Sequence, residues 1–318
     1  MHCVIFGRDD FGKPLFDLIC SAKLRTNVEL VAFFDLYENS SRKIYKCRRS
    51  FEQNNDDIVV DEVPSVEISL TAFDKFFIFG WDYDLREQFH AAGIDYKKIA
   101  VCYGAIFYCC SPLDEIFVMP KSKPDVPFKK APAEIYQHYV GETAKSHDRR
   151  QREGFFDKYC NGEGLDIGYG ADLIVPNCSG WDLRNGDAQY LEGIPDESFD
   201  FVYSSHCLEH MFDVQISLKN WFRVVRKGGW LILAVPHREL YEKKSRLPSR
   251  WNIDHKHMFL IGRSEEPDTL DIIEEIKAAL TDYDIEYVKT CDEGHTITDP
   301  LVHSDGEYQI EIVIRKLT

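Results

Sequence analysis

No stretch of the 318-residue chain approaches the run of about 20 apolar residues that a membrane-spanning helix needs. The first residues, MHCVIFGRDDFG, lack a basic leader and a small-residue cleavage site, so they read as a first strand and its turn. Positive charge is scarce. Lys and Arg number 38 against 54 Asp and Glu, which leaves a net charge of -16 and a pI near 5.1. So acidic a chain repels phosphodiester backbones, which argues against a nucleic-acid partner. The ten cysteines contain no C-x-x-C pair. Scattered through apolar segments, they are expected to be reduced and buried, which favours a cytoplasmic setting and disfavours a structural zinc site. Internal repeats and low-complexity tracts are also missing.

What remains is an ordinary globular composition, 44% hydrophobic and 29% charged, long enough for two domains. The sharpest compositional break is Ser111 to Pro132, which holds Pro112, Pro120, Pro124, Pro127 and Pro132. Each proline obstructs a helix or a central strand. The expected organisation is an α/β domain over residues 1–110, a linker over 111–130 and a second α/β domain over 131–318. Before the break, strands are expected at 3–6, 28–34, 76–79 and 99–101, with helices at 13–22 and 85–92. Short apolar strands alternating with helical crossovers imply parallel sheets covered on both faces. After it the same grammar returns over 164–229. The end differs: strands at 285–289 and 308–315 without a helix between them predict a closing antiparallel hairpin, preceded by a helix over 269–279.

Gly164-Leu165-Asp166-Ile167-Gly168-Tyr169-Gly170 places acid-x-Gly-x-Gly at a strand end. Glycines there let backbone approach a ligand closely, and the amides that follow attract a carboxylate or phosphate. Downstream, in order, come Gly180-Trp181-Asp182, Gly186-Asp187-Ala188, the run Ser198 to His210 (SFDFVYSSHCLEH) and Arg223 to Trp230 (RVVRKGGW) before the strand 231–235. This ordered set resembles the class I S-adenosylmethionine-dependent methyltransferases, in particular the methyltransferase type 11-like group, over roughly 131–318. The resemblance implies a Rossmann-like seven-stranded sheet with an antiparallel closing hairpin and S-adenosylmethionine as cofactor. It places Asp166, Gly168 and Gly170 against the methionine part, Asp182 on the ribose hydroxyls, and Asp187 with Ala188 at the adenine edge. Ser204, Ser205 and His206 would line the cofactor and open toward the acceptor. Two departures stand out. Asp172 replaces a small residue, and the short Pro176-containing link from Gly170 to Asp182 leaves the usual first helix short or missing. A nicotinamide site fits less well, because the third glycine is absent and the acidic residue comes too early.

Methyl transfer from a sulfonium needs alignment of the acceptor and, for a hydroxyl, removal of a proton. Histidine suits that task because its pKa lies near neutrality. His255, helped by Asp254, is the expected general base, with His237 as second choice. His206 and His210 form H-x-x-x-H, which on a helix would turn both rings to one side. The Leu-Glu-His element more simply serves packing and the cofactor pocket, so no metal is expected. From His237 to His257 the chain carries Arg238, Lys243, Lys244, Arg246, Arg250 and Lys256 against Glu239, Glu242 and Asp254. A basic insertion on an acidic protein suits an anionic acceptor, with Arg246, Arg250, Trp251, Lys256 and His257 as candidate contacts and Tyr241 as a stacking ring.

The first domain, with Val4-Ile5-Phe6-Gly7 to Gly12, Leu30 to Asp35 and Gly93 to Ile99, resembles the small Rossmann-like domains that precede sugar-modifying enzymes. It implies binding of a nucleotide or sugar nucleotide, or a docking or oligomerisation role without ligand. The functional expectation is O-methylation of a sugar, nucleotide-linked or phosphorylated, in glycan biosynthesis. N-methylation of an amino-sugar and a non-catalytic cofactor-binding scaffold are the alternatives.

Overall fold

The computed structural model describes residues 2–7, 30–35, 44–49, 58–62, 73–79, 83–102, 142–170, 172–182 and 185–317. The expected helix at 13–22, the turn beyond Gly7, the proline-rich segment 111–130 and Ala171 lie outside them. The chain divides into two compact units, Met1–Ser122 and Lys123–Thr318.

The first unit carries one six-stranded sheet. Its strands are β1 (His2–Gly7), β2 (Leu30–Asp35), β3 (Ile44–Arg49), β4 (Ile58–Glu62), β5 (Lys75–Phe79) and β6 (Ile99–Cys102), in the order β4-β3-β2-β1-β5-β6. The four expected strands are β2, β1, β5 and β6, and they pair in parallel. Helix α1 (Tyr83–Ala91) precedes β6. β3 and β4 are additional and antiparallel, so this sheet is mixed. Lys46, Arg48 and Arg49 break the apolar run of β3, which hid it from a search for buried parallel strands.

The second unit opens with α2 (Glu142–Arg152) and α3 (Phe155–Tyr159). Its sheet is built from β7 (Gly164–Ile167), β8 (Cys178–Trp181), β9 (Phe199–Ser205), β10 (Val225–Pro236), β13 (Tyr283–Cys291) and β14 (Gln309–Lys316). The order is β13-β14-β10-β9-β7-β8, parallel except for β14, which runs antiparallel to both β10 and β13. Among the described residues six strands form the sheet where seven were expected. Between β8 and β9 the described residues form turns only, punctuated by Gly186, Gly193 and Pro195, and β8 becomes the sheet edge. The closing hairpin forms as expected. The helix expected over 269–279 starts later, as α5 (Ile272–Ala279), because Thr269–Asp271 is the strand β12 paired with β11 (Met258–Leu260).

Strict alternation explains why both faces of this sheet are covered. Val202, Leu231, Leu233, Ile312 and Ile314 join one core with α4 (Val214–Arg223) and α5. Phe201, Tyr203, Ile232 and Val313 join the opposite core with Phe155 and Tyr159 of α3. On that second face a charged network ties α2 to β14. Arg150 and Glu311 are fully buried, and Arg150 donates to Glu311 at 2.7 Å and to the Tyr203 hydroxyl at 2.8 Å. Arg149 donates to Glu307 at 2.8 Å and to Glu311 at 3.1 Å. Burial alone would raise the Glu311 pKa, but the two guanidiniums overcome it and hold the carboxyl at about 2.

Candidate active site

The ends of β7, β8 and β9 meet where the parallel strands finish, the usual place for a ligand in an open α/β sheet. Gly168, in the left-handed region, lies so near the loop after β9 that a Cβ would sit 2.8 Å from Cβ of Cys207. Gly180 is required for a similar reason, since a Cβ there would fall 2.5 Å from the Tyr169 ring. At Gly170, also left-handed, the Cβ direction opens onto free space. No helix follows within the described residues 172–177, so turns carry the chain across to β8.

Asp166 is buried, and its Oδ2 accepts from the Ile174 amide at 2.8 Å, stapling that turn segment to β7. Desolvation pushes its carboxyl up to about 8, and Asp172 adds to the rise. Asp182 closes β8 in a tight turn: its amide donates to Asn185 Oδ1 at 3.0 Å and its carbonyl accepts from the Asn185 amide at 2.7 Å. Asp187 caps the next turn through the Gln189 amide at 2.9 Å, and the Ala188 carbonyl accepts from the Trp221 indole at 2.8 Å. Burial raises the Cys207 thiol pKa, and Glu209, Asp182 and Asp166 raise it further, so these carboxylates share one electrostatic environment.

Residues 165–233 match the family described as Methyltransferase domain. Within these residues the chain carries a methyltransferase domain, whose cofactor is S-adenosylmethionine. Solved structures similar to the chain include S-adenosylmethionine-dependent methyltransferases from three organisms. The Mesorhizobium loti enzyme has 14% identity, covers 48% of this chain and 90% of its own, and has a TM-score of 0.31. The Thermotoga maritima enzyme has 17% identity, 55% and 100% coverage and a TM-score of 0.33. The Archaeoglobus fulgidus enzyme has 16% identity, 55% and 95% coverage and a TM-score of 0.34. No curated protein matches the chain. No helix among the described residues is long and apolar enough to cross a membrane.

β9 ends in buried Ser204, then Ser205 and His206. His206 is held at φ 51°, a left-handed conformation that a non-glycine residue adopts only at a cost. Its Nε2 donates to Gln309 Oε1 at 3.2 Å, while Gln309 Nε2 donates to Ser146 Oγ at 2.7 Å, which fixes the amide's orientation. The H-x-x-x-H element is not on an α-helix; Leu208–His210 forms a single 3₁₀ turn. The expected pairing of His255 with Asp254 is replaced by another. His255, buried, donates from Nδ1 to Glu242 at 2.8 Å, and Asp254 instead receives Nδ1 of His210 at 2.9 Å. Glu209 and Glu242, both buried, were passed over in the sequence. One sat inside a packing element, and the other was counted only as a charge against the basic insertion.

His237 and His257 make other contacts, although the His257 amide donates to the Glu209 carbonyl at 3.2 Å. Burial lowers both pKa values, the Glu239 amide donates to His237 Nδ1 at 3.2 Å, and His257 Nε2 donates to the Phe212 carbonyl at 3.3 Å. The basic insertion is not a free cationic surface. Lys243 donates to three carbonyls, those of Ile297, Asp299 and Val302. Lys244 caps Pro248 and Arg246 caps Glu266, each through a carbonyl, and Arg250 reaches the Pro300 carbonyl. Arg238 pairs with Glu265 at 2.6 Å and Lys256 with Asp254 at 3.0 Å. These cations hold loops to one another. Trp251 meets His303 edge-on at 5.3 Å, and Tyr241 lies 5.4 Å from His255 and 5.0 Å from Tyr308, so the insertion supplies aromatic surface beside the histidines.

Proposed function

We propose that this methyltransferase O-methylates a small sugar-type acceptor, free, phosphorylated or nucleotide-linked, in glycan assembly. Bound S-adenosylmethionine supplies the electrophilic methyl group; the chain's own residues must hold the hydroxyl and take charge of its proton. The observation that carries the reading is the convergence of His206, His210 and His255 on Glu209, directly after the end of β9. Imidazoles anchored by carboxylates are suited to withdrawing a hydroxyl proton near neutral pH. His255, with Glu242 rather than Asp254 behind it, is the residue on which turnover should depend most. Half-buried Trp251 offers a ring face for a sugar, whereas Tyr241 is buried behind the histidines, and the engaged cations shift recognition from charge toward hydrogen bonding. Cys160, Cys178, Cys207 and Cys291 are free and buried, which supports the reducing, cytoplasmic setting of such a pathway.

Methyl transfer from labelled cofactor to a panel of sugars, sugar phosphates and sugar nucleotides tests the reading. Turnover on at least one hydroxyl, lost in His255→Ala with cofactor affinity unchanged, is expected. Methylation of an amino-sugar nitrogen alone would replace the hydroxyl assignment. Cofactor binding with no turnover would favour a scaffold.

A further inference from the structure

Glu209 is completely buried, and neither of its carboxylate oxygens has a hydrogen-bond partner. An isolated buried carboxylate is costly, and in folded proteins such a group is nearly always paired or bound to an ion. Around its Oε1 stand three imidazole nitrogens: Nδ1 of His206 at 3.7 Å, Nε2 of His255 at 3.8 Å and Nε2 of His210 at 3.9 Å. All three separations exceed a hydrogen bond.

The far side of each ring says what these nitrogens present. A carboxylate only accepts, so His255 carries its proton on Nδ1 toward Glu242, and His210 carries its own on Nδ1 toward Asp254. Gln309 Oε1 likewise requires the proton of His206 on Nε2. In the neutral rings of His210 and His255 each remaining nitrogen is therefore a lone pair, and the two lie 3.9 and 3.8 Å from a carboxylate oxygen. Without a cation between them that arrangement is repulsive.

We infer that Glu209, His210 and His255, with His206 beside them, bind a divalent transition-metal ion of the zinc type. The ligand atoms of the first three lie within 4.8 Å of one another. A tetrahedral ion with bonds of about 2.0–2.2 Å separates its ligands by about 3.4 Å, so the Glu209 Oε1 distances of 3.8 and 3.9 Å need to close by a few tenths of an ångström and the two histidines by up to about 1.4 Å, within reach of side-chain rotation. Imidazole and carboxylate donors suit such an ion, and imidazoles backed by carboxylates are the usual supporting arrangement. Glu242 and Asp254 are then positioning residues. Three firm ligands leave a coordination position for an oxygen of the acceptor. The inference replaces the proton-accepting part given to His255 above, because a nitrogen bound to the ion cannot take a proton, and it stands whether or not the acceptor is a sugar.

Zn²⁺ is titrated calorimetrically into tag-free, chelator-treated full-length protein, without cofactor or acceptor, so failure of the methyltransfer reading does not affect the outcome. Saturable binding of one ion per chain is expected, along with visible d–d bands on Co²⁺ substitution. Glu209→Gln should abolish it. Glu242→Gln and Asp254→Asn should each weaken it by about 10- to 100-fold while circular dichroism stays native. Should Glu209→Gln not fold, the two positioning variants decide the matter. Absence of saturable Zn²⁺ binding, or binding unchanged in Glu242→Gln and Asp254→Asn, would overturn the assignment.

Discussion

Replacing Asp166 by Asn should make the methyltransferase domain less sensitive to alkaline pH. In the unfolded chain this carboxyl ionises near 3.9, whereas burial holds it at about 8 in the folded protein. Between those values the folded chain keeps a proton that the unfolded chain has lost, so stability falls as pH rises. The full slope for one proton is about 1.4 kcal/mol per pH unit, and it levels off as pH passes the folded pKa. From pH 6 to pH 8 the group alone should remove about 2 kcal/mol. For a domain of this size that is about 4–8 °C of melting temperature. Asn keeps the shape and can still accept the Ile174 amide, but it has no proton to lose. Thermal melts of wild type and Asp166→Asn at pH 6, 7 and 8 isolate the effect, because other titrating groups cancel in the difference. The wild-type melting temperature should drop more steeply. The same linkage predicts that binding a cationic cofactor near neutral pH expels the Asp166 proton, visible as buffer-dependent heat in calorimetry. Parallel melting curves for the two proteins would refute the reasoning.

Glu311→Gln should cost about 3–5 kcal/mol in urea denaturation, because it strips the charge from a fully buried carboxylate that serves both Arg149 and Arg150; a loss under about 1 kcal/mol would show the network to be stabilised in another way. Gly180→Ala drives a methyl group into the Tyr169 ring and should lower both stability and cofactor affinity; unchanged cofactor titrations would show that the β8 end is not part of the pocket. His255→Ala should reduce turnover to background while leaving the cofactor dissociation constant within about twofold of wild type, measured on the same preparation.

The motifs expected to hold the cofactor are local. Acid-x-Gly-x-Gly, the Trp181-Asp182 strand end and the run into His206 each carry their meaning within a few residues, and they fall at the ends of β7, β8 and β9. The acceptor half was misread because its contacts are distant in sequence. His255 is paired with Glu242, thirteen residues before it, and not with adjacent Asp254, which reaches back to His210 across a separation of 44. Charge counting overstated the insertion as well, since loop carbonyls as far away as Pro300 consume its cations. In the fold, the absent strand between β8 and β9 shows the same limit. Family order implies it, but Gly186, Gly193 and Pro195 leave that connection as turns. Of the two antiparallel strands, β3 was missed because Lys46, Arg48 and Arg49 break the apolar run by which buried strands are recognised, and β4 because its run Ile58-Val59-Val60 is short and followed by Asp61 and Glu62.

The central claim, that the ends of β7, β8 and β9 form an S-adenosylmethionine site, is tested most directly by calorimetric titration. S-adenosylmethionine and S-adenosylhomocysteine are titrated into wild type and Asp182→Ala. The account predicts micromolar binding of both ligands, weakened at least about tenfold, or about 1.4 kcal/mol, by the substitution. Absence of binding to either ligand in a folded wild-type protein would contradict it.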